Sequence, residues 1–330
     1  MGASKNSIPA PAQPRPRAEA HSRRKVIRQG NDTLTLTLPR KWTSQMGIRG
    51  GDELDVEERG PVLTVTAHGT PGMETVRIDA EEAGVLFKRI LTYLYRTGYD
   101  EVMVTFRAPG VVNRIQDIIA HTLMGFEIVA QGPGYCVIRN ISVPVEAELD
   151  SLLRRTFLLL QSMAEGVNTQ LAHPEALQDL RRLEDTNNKF TTICRRILVT
   201  RGYRDPLQTA RVYSLTTDLE LLADEYKYLI DYAIQQKGIS PSPPVLAYLQ
   251  DVGRMATKLY DLLFSFSLPG ALEGYQQRKD LIDRGLRLLP TKTGDNVVVV
   301  HYALRIAHIG FNIMCHCLAV NYPRHGLGKA

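Results

Sequence analysis

Glu220 and Asp224 stand four residues apart in a stretch with helical apolar spacing, so their carboxylates project side by side from one face. Two like charges placed in this way cost an isolated helix roughly a few tenths of a kcal/mol. A cation between them offsets that cost. Oxygen-only donors suit hard or borderline metals such as Mg, Mn or Fe, and carboxylates on facing helices are one way to build such a site in a bundle. Glu184 and Asp185, on the preceding helical stretch, offer further oxygens. The competing reading is a solvated acidic face in which Lys227 pairs with Asp224, and spacing alone leaves both open. A second chemistry is phosphate recognition. Residues 1–50 carry Lys5, Arg15, Arg17, Arg23, Arg24, Lys25, Arg28, Arg40, Lys41 and Arg49 against only Glu19 and Asp32, a local excess larger than the +5 of the whole chain. Such a patch attracts polyanions and steers their approach, unless it only keeps the chain soluble. His301, His308 and Cys315 recur every seven residues and share a face that runs near Leu304 and Phe311, where a histidine is more often a core residue than a ligand. No Gly-rich phosphate loop, nucleophile elbow or His-Glu-x-x-His pattern occurs, so the sequence offers no catalytic constellation and an enzyme is not expected.

The basic residues sit on recognisable elements. Leu34, Leu36 and Leu38 alternate with Thr33, Thr35 and Thr37, which puts leucines on one face of a strand and threonines on the other. Pro39 stops that strand, residues 40–48 form a short helix or turn, and Leu54 and Val56, then Leu63 and Val65, give two further strands around Gly60-Pro61. A unit of roughly 50 residues buries too little apolar surface to be secure alone, so it is expected to share its core with a second copy. The run Arg24-Lys25-Val26, Leu36-Thr37-Leu38-Pro39-Arg40-Lys41-Trp42, Gly47-Ile48 and Gly51-Asp52 resembles the AbrB/SpoVT swapped-hairpin domain, whose members interleave two chains and bind DNA as dimers. The resemblance implies DNA contacts at Arg24, Lys25, Arg28, Arg40 and Lys41.

Beyond Gly69-Thr-Pro-Gly the pattern alternates between strands and helices. Val76 and Ile78 form a strand, and Asp79 caps a helix with Glu82 reaching back three residues later. Leu86, Ile90 and Leu94 make that helix's stripe; Val102, Val104 and Phe106 are the next strand; Val112, Ile115, Ile119 and Leu123 mark a second helix; residues 126–130 and 135–141 close a hairpin. This small α+β layer, residues 71–144, carries no acid, base or nucleophile cluster. From Val145 onward prolines and glycines divide the chain into about six helices in two sets of three, near 146–238 and 242–322. Each set resembles one three-helix repeat of the PhoU family of phosphate-signalling proteins. Asp218-Leu-Glu-Leu-Leu-Ala-Asp224 resembles that family's third-helix motif, and Glu184-Asp-Thr-Asn-Asn188 its second-helix motif with Asn in the final place. In the second repeat the matching helix reads Leu304-Arg-Ile-Ala-His308, without the acidic pair. The family resemblance implies a metal at Glu220, Asp224, Glu184 and Asp185 in the first repeat only.

The expected architecture is therefore a multidomain α+β chain: a Pro-rich disordered arm (1–20), a swapped-hairpin β domain (21–70), the α+β layer (71–144) and a pair of three-helix bundles (145–330). With 44% apolar residues such a chain buries real cores. His301, Arg305 and His308 interrupt the longest apolar run, no signal-peptide core opens the chain, and four scattered cysteines suit reduced thiols, so the expected location is the cytoplasm without membrane insertion. The order of domains resembles the archaeal type of PhoU-like regulator. It implies a homodimeric, double-stranded-DNA-binding transcriptional regulator of phosphate uptake that senses through its helices. The alternatives are a cytosolic adaptor of a phosphate transporter or sensor protein, and a metal-dependent hydrolase, against which the missing ligands of the second repeat count.

Overall fold

The computed structural model of the 330-residue chain describes residues 23–30, 33–59, 62–67, 76–141 and 148–325. The expected arm at 1–20, the Gly60-Pro61 turn and the 69–72 linker lie outside the described residues. The fold is mixed α and β, with small sheets and a helical C-terminal region. It divides into two compact units, Met1–Arg77 and Ile78–Ala330, so the α+β layer and the helices belong to one unit.

The first unit holds two antiparallel hairpins joined by a short helix. β1 (Val26–Gln29) pairs with β2 (Thr33–Leu36), and β3 (Leu54–Arg59) with β4 (Val62–Ala67). Directly opposed residues share a face. Val26 faces Leu36 and Arg28 faces Leu34, while Ile27 faces Thr35 and Gln29 faces Thr33, which separates leucines from threonines as the alternation requires. β2 ends at Leu36, so Leu38 lies past the strand. α1 (Arg40–Met46) starts directly after Pro39, whose fixed φ suits the position before a helix, and Gly47 ends it in the left-handed conformation (φ 68°), its N–H and that of Ile48 turning back onto Ser44 and Thr43 carbonyls.

The second unit opens with β5 (Val76–Asp79), then α2 (Ala80–Ala83), α3 (Phe87–Arg96), β6 (Glu101–Thr105), α4 (Val111–Thr122), β7 (Phe126–Gly132) and β8 (Tyr135–Asn140), in a four-stranded sheet of order β5-β6-β8-β7. Asp79 accepts hydrogen bonds from the Glu81 and Glu82 amides. Glu82 does not reach back; instead Glu81 accepts from the Arg107 and Ala108 amides and ties the β6–α4 loop to the cap. Gly84 (φ 51°) ends α2 after one turn, and the tight turn that follows rephases the helix. The buried stripe is accordingly Phe87, Leu91 and Tyr95, not the expected Leu86, Ile90 and Leu94, and Leu86 is 54% exposed. On α4 the buried residues are Ile115, Ile118 and Thr122, with Ile119 half-buried. Val102, Val104, Cys136 and Ile138 fill the covered sheet face, where burial pushes the Cys136 thiol up to about 11 and keeps it unreactive.

Six long helices follow: α5 (Glu148–Gln170), α6 (Pro174–Arg201), α7 (Thr209–Gln235), α8 (Pro243–Phe264), α9 (Leu268–Leu288) and α10 (Asp295–His325). Prolines at the first turns of α6, α8 and α9 occupy the positions where a missing N–H costs nothing. α5, α6 and α7 pack on one another, α8, α9 and α10 do the same, and α5–α8 and α7–α10 contacts merge the two sets into one continuous apolar core. Among the described residues α10 alone is long and apolar enough to cross a membrane by length and composition, and half of that window is buried against other helices. His301, His308 and Cys315 are exposed along α10, opposite the buried row of Val300, Ala303, Ala307, Met314 and Cys317; the histidines are not core residues.

Candidate functional site

Two groups of residues carry the chemistry expected from the sequence, one in each unit. In the first unit Arg24, Lys25, Arg28, Arg40 and Lys41 are all exposed. The register places Arg28 on the same face as Leu34, Leu36 and Val26, whereas Ile27 and Thr35 occupy the other; Arg40 and Lys41 open α1. Apolar side chains around them are equally bare. Val26 (59%), Leu34 (67%), Val56 (60%) and Leu63 (58%) are exposed, and no residue of the unit whose exposure is described is buried.

The second group lies where α3 and α4 meet α6 and α7. Glu220 accepts hydrogen bonds from Arg195 and Arg96, the latter at 3.1 Å, and Arg96 also donates to Thr192 Oγ1 at 2.8 Å. Asp224 and Glu184 share the Lys227 ammonium, at 2.5 and 3.1 Å, while Asn188 holds the same Glu184 oxygen. Asp185 points outward and pairs with Arg181. The structure thus brings Glu184 and Asp224 to one point, gives Glu220 to two guanidiniums, and leaves Asp185 apart.

The position a cation would take between Glu184 and Asp224 is held by Lys227, and the position beside Glu220 by Arg195 and Arg96. Among the described residues no group of three or more His, Cys, Asp or Glu side chains is placed to hold a metal ion. The donor set therefore does not fit a hard cation in this arrangement, and the side chains neutralise one another. Burial pushes the Glu184 carboxyl above its ordinary range, against the pull of Lys227. Burial also works against the Lys227 ammonium, but its hydrogen bond to Asp224 and the charge of Glu184 outweigh that and hold it above its usual value. Arg195 is held below its usual value by burial, opposed by Glu220.

The same contacts join the α+β layer to the helices. Arg196, near the C-terminal end of α6, donates to the Tyr95 and Tyr99 carbonyls at 2.6 and 3.0 Å and to Asp100, and its guanidinium lies 4.8 Å from the Tyr95 ring centroid and 5.4 Å from that of Phe126. Lys189 donates to the Ala120 carbonyl at 2.7 Å. Beside this joint a cleft of about 310 Å³ is walled by Lys88, Arg89 and Arg96 on one side and Asn188, Glu220 and Lys227 on the other. Sequence reasoning found the carboxylates, and Lys227 as the competing partner of Asp224, and missed the arginines that meet Glu220. The signal was present in Ile193-Cys-Arg-Arg-Ile-Leu198, where two arginines interrupt an apolar run and are buried only because each has acceptors waiting.

Linkage gives this cluster a measurable signature. A carboxyl whose folded pKa is raised binds more protons folded than unfolded from its ordinary 4.5 upward, so its effect on stability is more favourable in acid and is lost as pH rises through the folded value. Lys227→Met removes the ammonium and extends that window upward. The variant is expected to lose several-fold more stability relative to the parent at about pH 7.5 than at about pH 5, read from urea midpoints. An equal loss at both would show that Glu184 does not depend on Lys227 for its charge.

No family, curated protein or solved structure matches this chain.

Proposed function

We propose that the chain is a cytoplasmic DNA-binding transcriptional regulator linked to phosphate uptake: a homodimer that holds double-stranded DNA through swapped-hairpin domains and senses through a PhoU-like pair of three-helix bundles. The observation that carries the DNA-binding half is the first unit itself, where five exposed cations stand before and on β1 and at the start of α1, beside hairpins whose apolar side chains are exposed. Phosphate contacts need exposed Arg and Lys on a frame that fixes their spacing, and a paired module supplies two such sets. Sensing is assigned to the ionic joint because it links two parts of the second unit through contacts that an anionic ligand or a partner's charged group could exchange. A phosphate transporter or sensor protein is the kind of partner that the resemblance implies. A ligand acts there only if it favours one arrangement over the other. A Mg, Mn or Fe ion at Glu184, Glu220 and Asp224 is not needed for this reading, since Lys227 and the arginines already balance those charges.

The test is duplex binding. Arg40→Glu with Lys41→Glu is expected to lower affinity for random duplex by at least about tenfold at low salt, because two favourable phosphate contacts per protomer become repulsive. The parent's affinity is expected to fall steeply with added salt as counterions are released. Parent-like binding by the double variant would move the DNA face elsewhere, and a parent that ignores duplex would leave the adaptor reading.

A further inference from the structure

α9 comes close to the bundle at small residues: Ala271 and Gly285 are its buried positions, Leu281 and Leu288 pack half-buried against the core, and at Gly285 an added Cβ would lie 2.3 Å from the Tyr248 hydroxyl and 2.5 Å from Leu304 Cδ2. A second row of large apolar side chains is more exposed, although Tyr275 in it touches the Phe311 ring edge to face with centroids 5.8 Å apart. Leu268, Leu272, Tyr275 and Leu286 are 46, 59, 56 and 55% exposed, and Ile282 is half-buried in the same row. With Lys279 these residues recur at alternating steps of four and three, the 3.5-residue period of a helix–helix seam, over a length of about 27 Å. Scattered exposed leucines need no explanation, but a continuous row does.

Outside the described residues the large aliphatic side chains are few: Met1, Ile8, Met73, Val143, Val145 and Leu327, no more than two in any one segment. The row does match itself. Turned end for end about a point level with residue 277, Leu268 meets Leu286, Leu272 meets Ile282, and Tyr275 meets Lys279. Apolar residues then face apolar residues, and the one charge in the row faces an aromatic ring, the arrangement in which an ammonium is attracted rather than stranded. In a parallel pairing Lys279 would face its own copy, with two like charges in the middle of the seam.

We propose that α9 is a self-association surface that pairs antiparallel with α9 of a second copy of this chain about a two-fold axis level with residue 277. Such a surface is separate from the first unit's hairpins, and each copy of the chain then carries two places to meet another.

Disulfide trapping in the full chain tests it. In a Cys315→Ser background, where the remaining thiols Cys136, Cys194 and Cys317 are buried, Leu272→Cys and Ile282→Cys are made singly and together. Ten residues apart on one helix, the two thiols are about 15 Å from each other and cannot bridge within a chain. Under mild oxidation the double variant is expected to form a covalent dimer and each single variant to stay monomeric on a non-reducing gel. The same result is expected with Leu36→Asp added, so that proximity through the first unit is not the cause. A dimer from Leu272→Cys alone as readily as from the double variant would overturn the antiparallel register. No dimer from any of them would mean that the row meets something other than a second α9.

Discussion

Arg196→Ala is expected to lower the stability of residues 78–330 by about 2–5 kcal/mol, from the hole left by a buried side chain and the loss of its donors to two carbonyls. The size follows from what the side chain touches. Its side chain is 4% exposed, it is the donor to the Tyr95 and Tyr99 carbonyls, and it stacks on the Tyr95 and Phe126 rings. Truncation takes the Arg196 donor from the Tyr99 carbonyl, at about 1–3 kcal/mol if that group stays buried, removes one of the two donors of the Tyr95 carbonyl, which keeps the Gly98 amide, and opens a hole beside two aromatic rings. Asp100 contributes little, because it is half exposed and water replaces its partner. Arg196→Lys should recover only part of the loss, since an ammonium cannot hold two carbonyls and a carboxylate in one plane. As a control, Arg139→Ala breaks an ion pair with Glu101 at a side chain that is 47% exposed and should cost less than about 1 kcal/mol. Urea unfolding followed by helical signal measures all three. A loss below about 1 kcal/mol in Arg196→Ala would show that the α+β layer is held to α6 by its apolar contacts alone.

The sequence made the elements legible and the electrostatics only half so. Helix ends followed from local chemistry: Pro39 before α1, Gly47 after it, Asp79 at the start of α2, and prolines opening α6, α8 and α9. Period-two alternation at Thr33–Leu36 gave the faces that the register shows. The stripe of α3 was misplaced by one residue because a single positive φ at Gly84 rephases the helix, and nothing in apolar spacing reports the phase of a helix that restarts. The carboxylates at 220 and 224 were found by their spacing on one helix, which is local, and Lys227 lies on that helix too. Glu220's partners Arg96 and Arg195 lie 124 and 25 residues from it, on other helices, and spacing carries no information about them. For the same reason the sequence marked α9 only as one of about six helices. Which of its two apolar rows faces inward is decided by Gly285 against Tyr248 and Leu304, a contact between helices that no periodicity encodes.

Leu36→Asp is expected to abolish both dimerisation through the first unit and duplex binding, while the helices of the second unit keep their signal. A two-stranded hairpin is marginal in water, and a unit that leaves Val26, Ile27, Leu34, Leu36, Val56 and Leu63 more than half exposed has little to hold its strands together alone. Covering each of these side chains is worth up to about 1.5–3 kcal/mol, so a second copy that covers most of them provides the stabilisation a single copy lacks. Leu36 faces Val26 in the register, on the same side as Leu34. A carboxylate there must either be buried without a partner, which costs several kcal/mol, or keep the two copies apart. Both routes remove the frame that spaces Arg24, Lys25, Arg28, Arg40 and Lys41. Thr33→Asp adds the same charge on the opposite, threonine-bearing face at an exposed position; it should weaken duplex binding modestly through repulsion and leave the unit folded. Limited proteolysis within residues 23–67, sedimentation and gel shift on the full chain separate the two effects. If Leu36→Asp remains protease-resistant and binds duplex like the parent, the leucine face is not where the copies meet, and the cations must be spaced by some other contact.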